Sequence, residues 1–164
     1  MSKQLKKGGE FLIAETDCSE IFTPEDFSDE QRQIAETTSE FVENEIFPKI
    51  EEIEAGQFDL VVEGMKKCGE LGLLMIDGPE EYGGLELDKA TSMLAAEKIA
   101  PAGSFSVAYA CHTGIATLPL VYYGTPAQKE QYLDKLLTGE WMGAYCLTEP
   151  GSGSDALGAR ATAV

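Results

Sequence analysis

Apolar side chains recur along most of the chain at the three- and four-residue spacing of amphipathic helices, and capping residues mark where each helix begins. A capping box formed by Ser28 and Gln31 opens a first predicted helix over residues 29–47, which Pro48 ends. A second helix is predicted over residues 59–71. This spacing favours helices over strands for the first part of the chain.

Three further helices follow. Asp88 caps a third helix that ends near Pro101. A fourth begins near Ser104 and is apolar on nearly all sides, which predicts a central, buried position, and Pro119 is expected to break or kink it. Thr125 opens a fifth helix, with a proline and a glutamine in its first turn. Glycines are predicted to close two of these helices: Gly72 and Gly139.

The pattern changes after the fifth helix. Residues 141–147 form an apolar, aromatic run typical of a strand, and residues 159–164 begin a second one. We therefore predict an all-α fold of about five to six helices, followed by the first strands of a truncated β domain. The predicted parts are an extended arm, a helical domain and the start of the β domain: residues 1–21, 22–139 and 140–164.

Composition places the chain among ordinary folded proteins, with 43% hydrophobic and 25% charged residues. Its 29 acidic and 12 basic residues give a formal net charge of −17, which repels nucleic acid and anionic membrane surfaces. No nucleic-acid partner is therefore expected. The start of the chain is polar and no apolar stretch approaches about 18 residues, so we predict no secretory signal, no integral membrane segment and a cytoplasmic location.

A loop rich in glycine and serine follows the strand-like run. Residues 148–155, here called the glycine loop, read TEPGSGSD. Pro150 fixes one backbone angle, Gly151 and Gly153 are free to take positive φ, and the serines add hydroxyl donors. Successive amide hydrogens that point inward make a site for a phosphate. The alternative is a solvent-exposed turn, which is what most such loops are.

The order of residues in this loop, preceded by Tyr-Cys-Leu at 145–147, resembles the FAD-binding signature of the acyl-CoA dehydrogenase family nearly letter for letter. Residues 79–85 are similar to the family's loop between early helices, and residues 124–129 to its helix-opening turn. The resemblance covers roughly residues 22–164. Residues 11–16 resemble the long bacterial branch that is close to the very-long-chain enzymes.

The resemblance implies FAD as the cofactor and an acyl-CoA thioester as the substrate. The family positions that contact the flavin correspond to Tyr145, Leu147, Thr148, Gly153 and Ser154, and Ser154 would also touch the substrate. The acyl pocket would be lined by Ser106, Val107, Ala110 and Gly114. Because the last two are small, the resemblance implies a deep slot and a long acyl chain. The alternative is that small residues only let two helices approach closely.

The implied reaction is α,β-dehydrogenation in fatty acid β-oxidation, with an electron-transfer flavoprotein or a similar acceptor taking the electrons. Its base, usually a glutamate, lies in later sequence of the family and is expected beyond Val164, so no catalytic residue is assigned in this chain. The chain is expected to be an inactive fragment of a homo-oligomeric enzyme. Because FAD and coenzyme A are polyanions, the cations that neutralise them are expected from later sequence and a neighbouring subunit.

Two other interpretations stay open at this point. An acyl-CoA oxidase-like or nitroalkane-oxidase-like enzyme would share the fold and the flavin, and a non-catalytic helical module would use its exposed faces to bind or dimerise. His112 beside Cys111 is not expected to form a catalytic pair, because adjacent helical side chains point about 100° apart. One histidine and four scattered cysteines also supply no metal-ligand set, so no metal site is predicted.

Overall fold

The computed structural model of the chain describes residues 5–162, and within that range it is helical and contains no β-strand. The predicted all-α fold is therefore confirmed. The seven α-helices of this range are α1 (Asp29–Phe41), α2 (Ile50–Glu54), α3 (Phe58–Glu70), α4 (Lys89–Ile99), α5 (Ser104–Ala110), α6 (Leu118–Tyr123) and α7 (Pro126–Leu137).

Three of the predicted helix starts are confirmed by their hydrogen bonds. The hydroxyl of Ser28 accepts from the backbone N–H of Gln31, and the Gln31 side chain accepts from the backbone N–H of Ser28. Thr125 and Gln128 exchange the same two bonds at the start of α7. The carboxylate of Asp88 caps α4. Each cap satisfies amide donors that the first helical turn leaves without a partner.

The two prolines that were predicted to interrupt helices lie inside longer helical runs. Val42–Ile46 is a π-helix that follows α1, and the 3₁₀ turn Phe47–Lys49 contains Pro48 and continues into α2. Cys111–Thr117 is a π-helix between α5 and α6, with Pro119 in the first turn of α6. In both runs a proline begins a new helical segment, where its missing N–H needs no partner. The prediction that Pro48 ends the first helix is therefore wrong, whereas Pro119, which was predicted to break or kink the fourth helix, lies where a π-helix passes into a new α-helical segment.

The second of these runs bears on the membrane prediction. Ser104–Tyr123 is one helix of 20 residues with a mean hydropathy of 1.2, long and apolar enough to cross a membrane by length and composition alone. It was not predicted from the sequence, because Pro119 was expected to divide it. One face of this helix packs into the core through Phe105 and Tyr109, but only 22% of its apolar window is buried. The prediction that apolar residues on nearly all sides give it a central, buried position is therefore wrong for its other faces, where Val107 and Ile115 are exposed. That the chain has no membrane segment stays a prediction.

The core lies between α1, α3, α4 and the helix that begins with α5. Phe105 is fully buried, and its ring lies 5.9 Å from that of Phe41. The Gln31 amide donates to the Asp88 carboxylate at 3.2 Å and to the Thr91 hydroxyl at 3.1 Å, which ties α1 to α4. A smaller apolar cluster joins α6 to α7: Val121, Leu133 and Leu137.

The ends of the described range differ from their predictions. The arm is not extended, because Lys6 donates its backbone N–H to the Glu20 carbonyl and the arm folds back. Residues 141–147 form no strand, since no other segment within residues 5–162 pairs with them. The remaining positions of the predicted arm and second strand, 1–4 and 163–164, lie outside the described residues. The catalytic base is predicted beyond Val164, so that prediction also lies outside the described residues.

Candidate functional site

The glycine loop is closed at its base by backbone hydrogen bonds. The N–H of Glu149 donates to the Ser152 carbonyl at 2.9 Å, and the N–H of Ser152 donates to the Glu149 carbonyl at 3.1 Å. The buried Ser152 hydroxyl donates to the Asp155 carbonyl at 2.6 Å. Together these bonds fix the turn at Pro150 and Gly151 without help from the rest of the chain.

The tip of the glycine loop presents unused donors. Within the described residues, the backbone N–H groups of Gly151, Gly153 and Ser154 donate to no protein acceptor. A Cβ at Gly151 or Gly153 would meet nothing within 4 Å. Free amides beside open space can donate to a bound anion, and an exposed turn presents the same donors to water.

The conformation of the glycine loop differs from the prediction in one respect. Neither Gly151 nor Gly153 has a positive φ, so that expectation is wrong. Pro150 is compatible with an ordinary turn, and the bonds between Glu149 and Ser152 close that turn with φ values open to any residue.

The carboxylate of Glu149 ties the glycine loop to the segment after it. It accepts hydrogen bonds from the backbone N–H groups of Arg160 at 2.8 Å and Ala161 at 2.9 Å. These two bonds lower the pKa of Glu149, because they stabilise its charged form. Its charge is thus engaged on backbone amides.

An apolar cleft of about 420 Å³ opens beside the segment that leads into the glycine loop. We call it the α3–α5 cleft. Its walls come from α3, from α5 with the following π-helix, and from residues 142–145: Phe58, Val61, Val62, Met65, Ala108, Cys111, His112, Ile115, Met142, Gly143, Ala144 and Tyr145. Its volume falls in the range of small-molecule sites. None of these lining residues carries a carboxylate.

The structure divides the residues that were predicted to bind flavin. Tyr145 lies at the α3–α5 cleft and is half exposed. The other four lie along the exposed surface that follows it: Leu147, Thr148, Gly153 and Ser154. All five lie on one continuous segment, and their contacts with flavin stay a prediction.

The residues that were predicted to line the acyl pocket do not meet Tyr145. Ala110 and Gly114 line a second cavity of about 350 Å³, here called the rear cavity. The Ser106 hydroxyl donates to the carbonyl of Gly103 at 2.6 Å, and Val107 is exposed and lines neither cavity. The cause is helical geometry, since a shift of one residue turns a side chain by about 100°.

The face of this helix that does meet Tyr145 was not predicted from the sequence. Ala108, Cys111 and Ile115 recur at intervals of three and four residues and line the α3–α5 cleft. The signal available was that Phe105 and Tyr109 are the larger, core-type side chains. A prediction that places Phe105 and Tyr109 in the core also places Ala108 and Cys111 on a different face of the helix.

His112 joins three parts of the site. Its side chain is buried, with 2% of its surface exposed. The Nε2 atom lies 2.9 Å from the Leu136 carbonyl oxygen, and Nδ1 accepts from the backbone N–H of Gly143 at 2.9 Å. Burial lowers the pKa of His112, which favours the neutral ring at neutral pH.

The fold and this site define an N-terminal helical domain of the acyl-CoA dehydrogenase type. Residues 28–140 match the family model described as acyl-CoA dehydrogenase, N-terminal domain. The chain belongs to the acyl-CoA dehydrogenase family.

Relatives agree with this assignment. A probable acyl-CoA dehydrogenase of Bacillus subtilis is 54% identical over 98% of this chain, which spans 27% of that protein. The mitochondrial isovaleryl-CoA dehydrogenase of Pongo abelii is 39% identical over 79% of this chain and 31% of its own length. The crystal structure of a Bacillus anthracis acyl-CoA dehydrogenase complexed with FAD superposes with a TM-score of 0.89, at 53% identity, over 94% of this chain and 26% of that one. The chain thus spans between a quarter and a third of these relatives.

Proposed function

We propose that this chain forms the N-terminal part of an FAD-dependent acyl-CoA dehydrogenase that oxidises acyl-CoA thioesters to α,β-unsaturated products. One observation carries the proposal. The wall of an apolar cleft, residues 142–145, leads directly along the chain into a loop with free amide donors. An acyl chain in the cleft and an anionic cofactor at the glycine loop would therefore contact adjacent parts of one segment.

The glycine loop fits the phosphate part of FAD. The free N–H groups of Gly151, Gly153 and Ser154 are neutral donors, which suits a chain with a net charge of −17. Thr148 and Leu147 would contact the flavin on the way to the loop.

The chemistry requires a base that the cleft does not supply. When bound, FAD supplies the acceptor for the β hydrogen as hydride, while a carboxylate base takes the α proton. The α3–α5 cleft has no carboxylate in its lining. We therefore propose that the base comes from sequence beyond Val164, outside the described residues.

The proposal is tested on the full-length protein by its flavin absorbance and by the reduction of that flavin by acyl-CoA. Purified at full length, the protein is expected to carry bound flavin and to bleach anaerobically when palmitoyl-CoA is added. Reoxidation by an electron-transfer flavoprotein, with slow reaction toward oxygen, would support a dehydrogenase. Rapid consumption of oxygen would favour the oxidase instead, and a colourless protein that takes up no flavin would contradict both.

We further propose a long acyl substrate, bound in the α3–α5 cleft. The side chains of Ala108 and Cys111 are small, and the cleft that they line has a volume of about 420 Å³. Replacing Ala108 with phenylalanine is expected to shorten the accessible slot by about three methylene groups, which contribute about 0.8 kcal/mol each. The kcat/KM for palmitoyl-CoA should fall by roughly 50-fold, and that for butyryl-CoA should change little.

Ala110→Phe is the matched control, because Ala110 lies on the same helix but lines the rear cavity. It is expected to leave the ratio of the two kcat/KM values near that of the unmodified enzyme. If Ala110→Phe alone lowers the ratio, the acyl chain lies in the rear cavity and the original assignment of Ala110 and Gly114 stands.

A further inference from the structure

The hydrogen bonds of His112 fix its protonation state. A carbonyl oxygen only accepts, so Nε2 must carry the proton that bonds the Leu136 carbonyl. A backbone N–H only donates, so Nδ1 must be unprotonated to accept from Gly143. Both bonds are satisfied together only by the neutral ring with its proton on Nε2. A protonated ring would lose the bond to Gly143.

The backbone at Gly143 is tightly packed. A Cβ added at Gly143 would lie 2.7 Å from the Ala116 Cβ and 3.5 Å from His112 Nδ1. The segment at Gly143 therefore lies directly against the π-helix that carries His112. In the same π-helix, the carbonyl of His112 accepts from the Thr117 hydroxyl at 2.7 Å. The ring thus connects this π-helix, the C-terminal turn of α7 and the wall of the α3–α5 cleft.

We infer that His112 is a positioning residue, which holds residues 142–145 in place as the wall of the α3–α5 cleft and sets where the chain enters the glycine loop. The bond to Gly143 stands on geometry alone, and its effect on acyl-CoA and flavin rests on the proposed function. His112 itself lies at the cleft but is not required to exchange a proton with the substrate. Its contribution is to fix one backbone amide of the segment that binds both ligands.

Two amide substitutions separate the two bonds of the ring. In His112→Asn the side-chain oxygen lies near the former Nδ1 and still accepts from Gly143. In His112→Gln the longer side chain reaches toward the Leu136 carbonyl and leaves the Gly143 N–H without its acceptor. Tyr109→Phe is the control for stability, because it removes another buried hydrogen bond of the same helix, from the Tyr109 hydroxyl to the Leu73 carbonyl.

The test uses full-length protein and two measurements. Hydrogen exchange of peptides that cover residues 141–147 should quicken about fivefold in His112→Gln, the factor that corresponds to one net hydrogen bond. The KM for palmitoyl-CoA should rise by a similar factor, with a smaller change in kcat. His112→Asn should stay near the unmodified protein in both measurements, and Tyr109→Phe should leave both unchanged.

The results that would overturn the positioning role of His112 differ from those that would overturn the proposed function. Equal exchange rates for the asparagine and glutamine variants would overturn the positioning role, whether or not the enzyme is active. Unmodified protein that binds no flavin and oxidises no acyl-CoA would overturn the proposed function, while faster exchange in His112→Gln would still support the bond to Gly143. An unchanged KM in His112→Gln, despite faster exchange, would overturn the link between this bond and the substrate site.

Discussion

Replacement of Gly153 by aspartate is expected to remove FAD from the full-length protein without unfolding it. The new side chain fits, because a Cβ at Gly153 meets nothing within 4 Å. Its carboxylate, however, would stand on the same loop as the free amides of Gly151 and Ser154, where we propose the phosphates bind. Like charges about 4 Å apart near a protein surface repel by up to about 4 kcal/mol, so flavin affinity should fall by about 100-fold or more. Flavin content per chain, read from the visible spectrum after gel filtration, measures the effect.

Gly153→Asn is the matched control, since asparagine has nearly the same shape and no charge. It should retain most of the flavin. If the aspartate and asparagine variants keep equal amounts of flavin, the glycine loop does not bind the phosphates, and the electrostatic argument fails. Circular dichroism and thermal unfolding of both variants should match those of the unmodified protein once the cofactor is removed.

The second large effect is expected at Gly84, where alanine should lower the free energy of unfolding by about 3 kcal/mol or more. The added Cβ would lie 2.0 Å from the carbonyl oxygen of Gly78, a contact between backbones that no rotamer relieves. Relief requires the loop to open, and it is held by bonds from Glu86 N–H to Gly78 at 2.8 Å and from Leu85 N–H to Met75 at 2.9 Å. Thermal or chemical unfolding of the full-length protein measures the loss.

The neighbouring Gly83→Ala is a calibrated comparison. Gly83 has a φ of 86°, but its added Cβ would meet only the Asp134 carboxylate, at 3.6 Å. Alanine there should lower stability by about 1 kcal/mol, the cost of a left-handed residue with a side chain. A Gly84→Ala protein as stable as Gly83→Ala would show that the loop moves aside easily.

The sequence predicted most of the fold because helix caps act locally. The boxes at Ser28 and Thr125 and the cap at Asp88 depend only on residues within one turn, and all three form where they were expected. The closing glycines are also local: Gly72 and Gly139 both have positive φ. The strand that was predicted over residues 141–147 does not form, because pairing needs a neighbouring strand that the sequence pattern itself does not supply.

The sequence identified the loop of the candidate site, but it did not predict which helical residues lie beside Tyr145. The order of residues identified the glycine loop, since a continuous segment keeps its members together in any fold. Which residues of the fourth predicted helix line the acyl pocket depends instead on the direction in which each side chain points around the helix axis. The π-helix Cys111–Thr117 has no strong residue signal, and it alters the phase within the very stretch that carries Gly114. His112 was set aside as a nucleophile, and its two backbone contacts come from residues 24 and 31 positions away.

The π-helix Cys111–Thr117 also bears on how the length of the chain can vary. Such a segment closes its hydrogen bonds one residue further along than an α-helix does, so deletion of a single codon within Cys111–Thr117 would restore α-helical bonding. The α-helical segments on either side would keep nearly their present orientation, because the wide π turn accommodates one extra residue locally. Ala108 and Val121, which face different neighbours on either side of the bulge, would then both keep their contacts. A homologue that lacks the bulge should therefore be aligned with a one-residue gap within Cys111–Thr117.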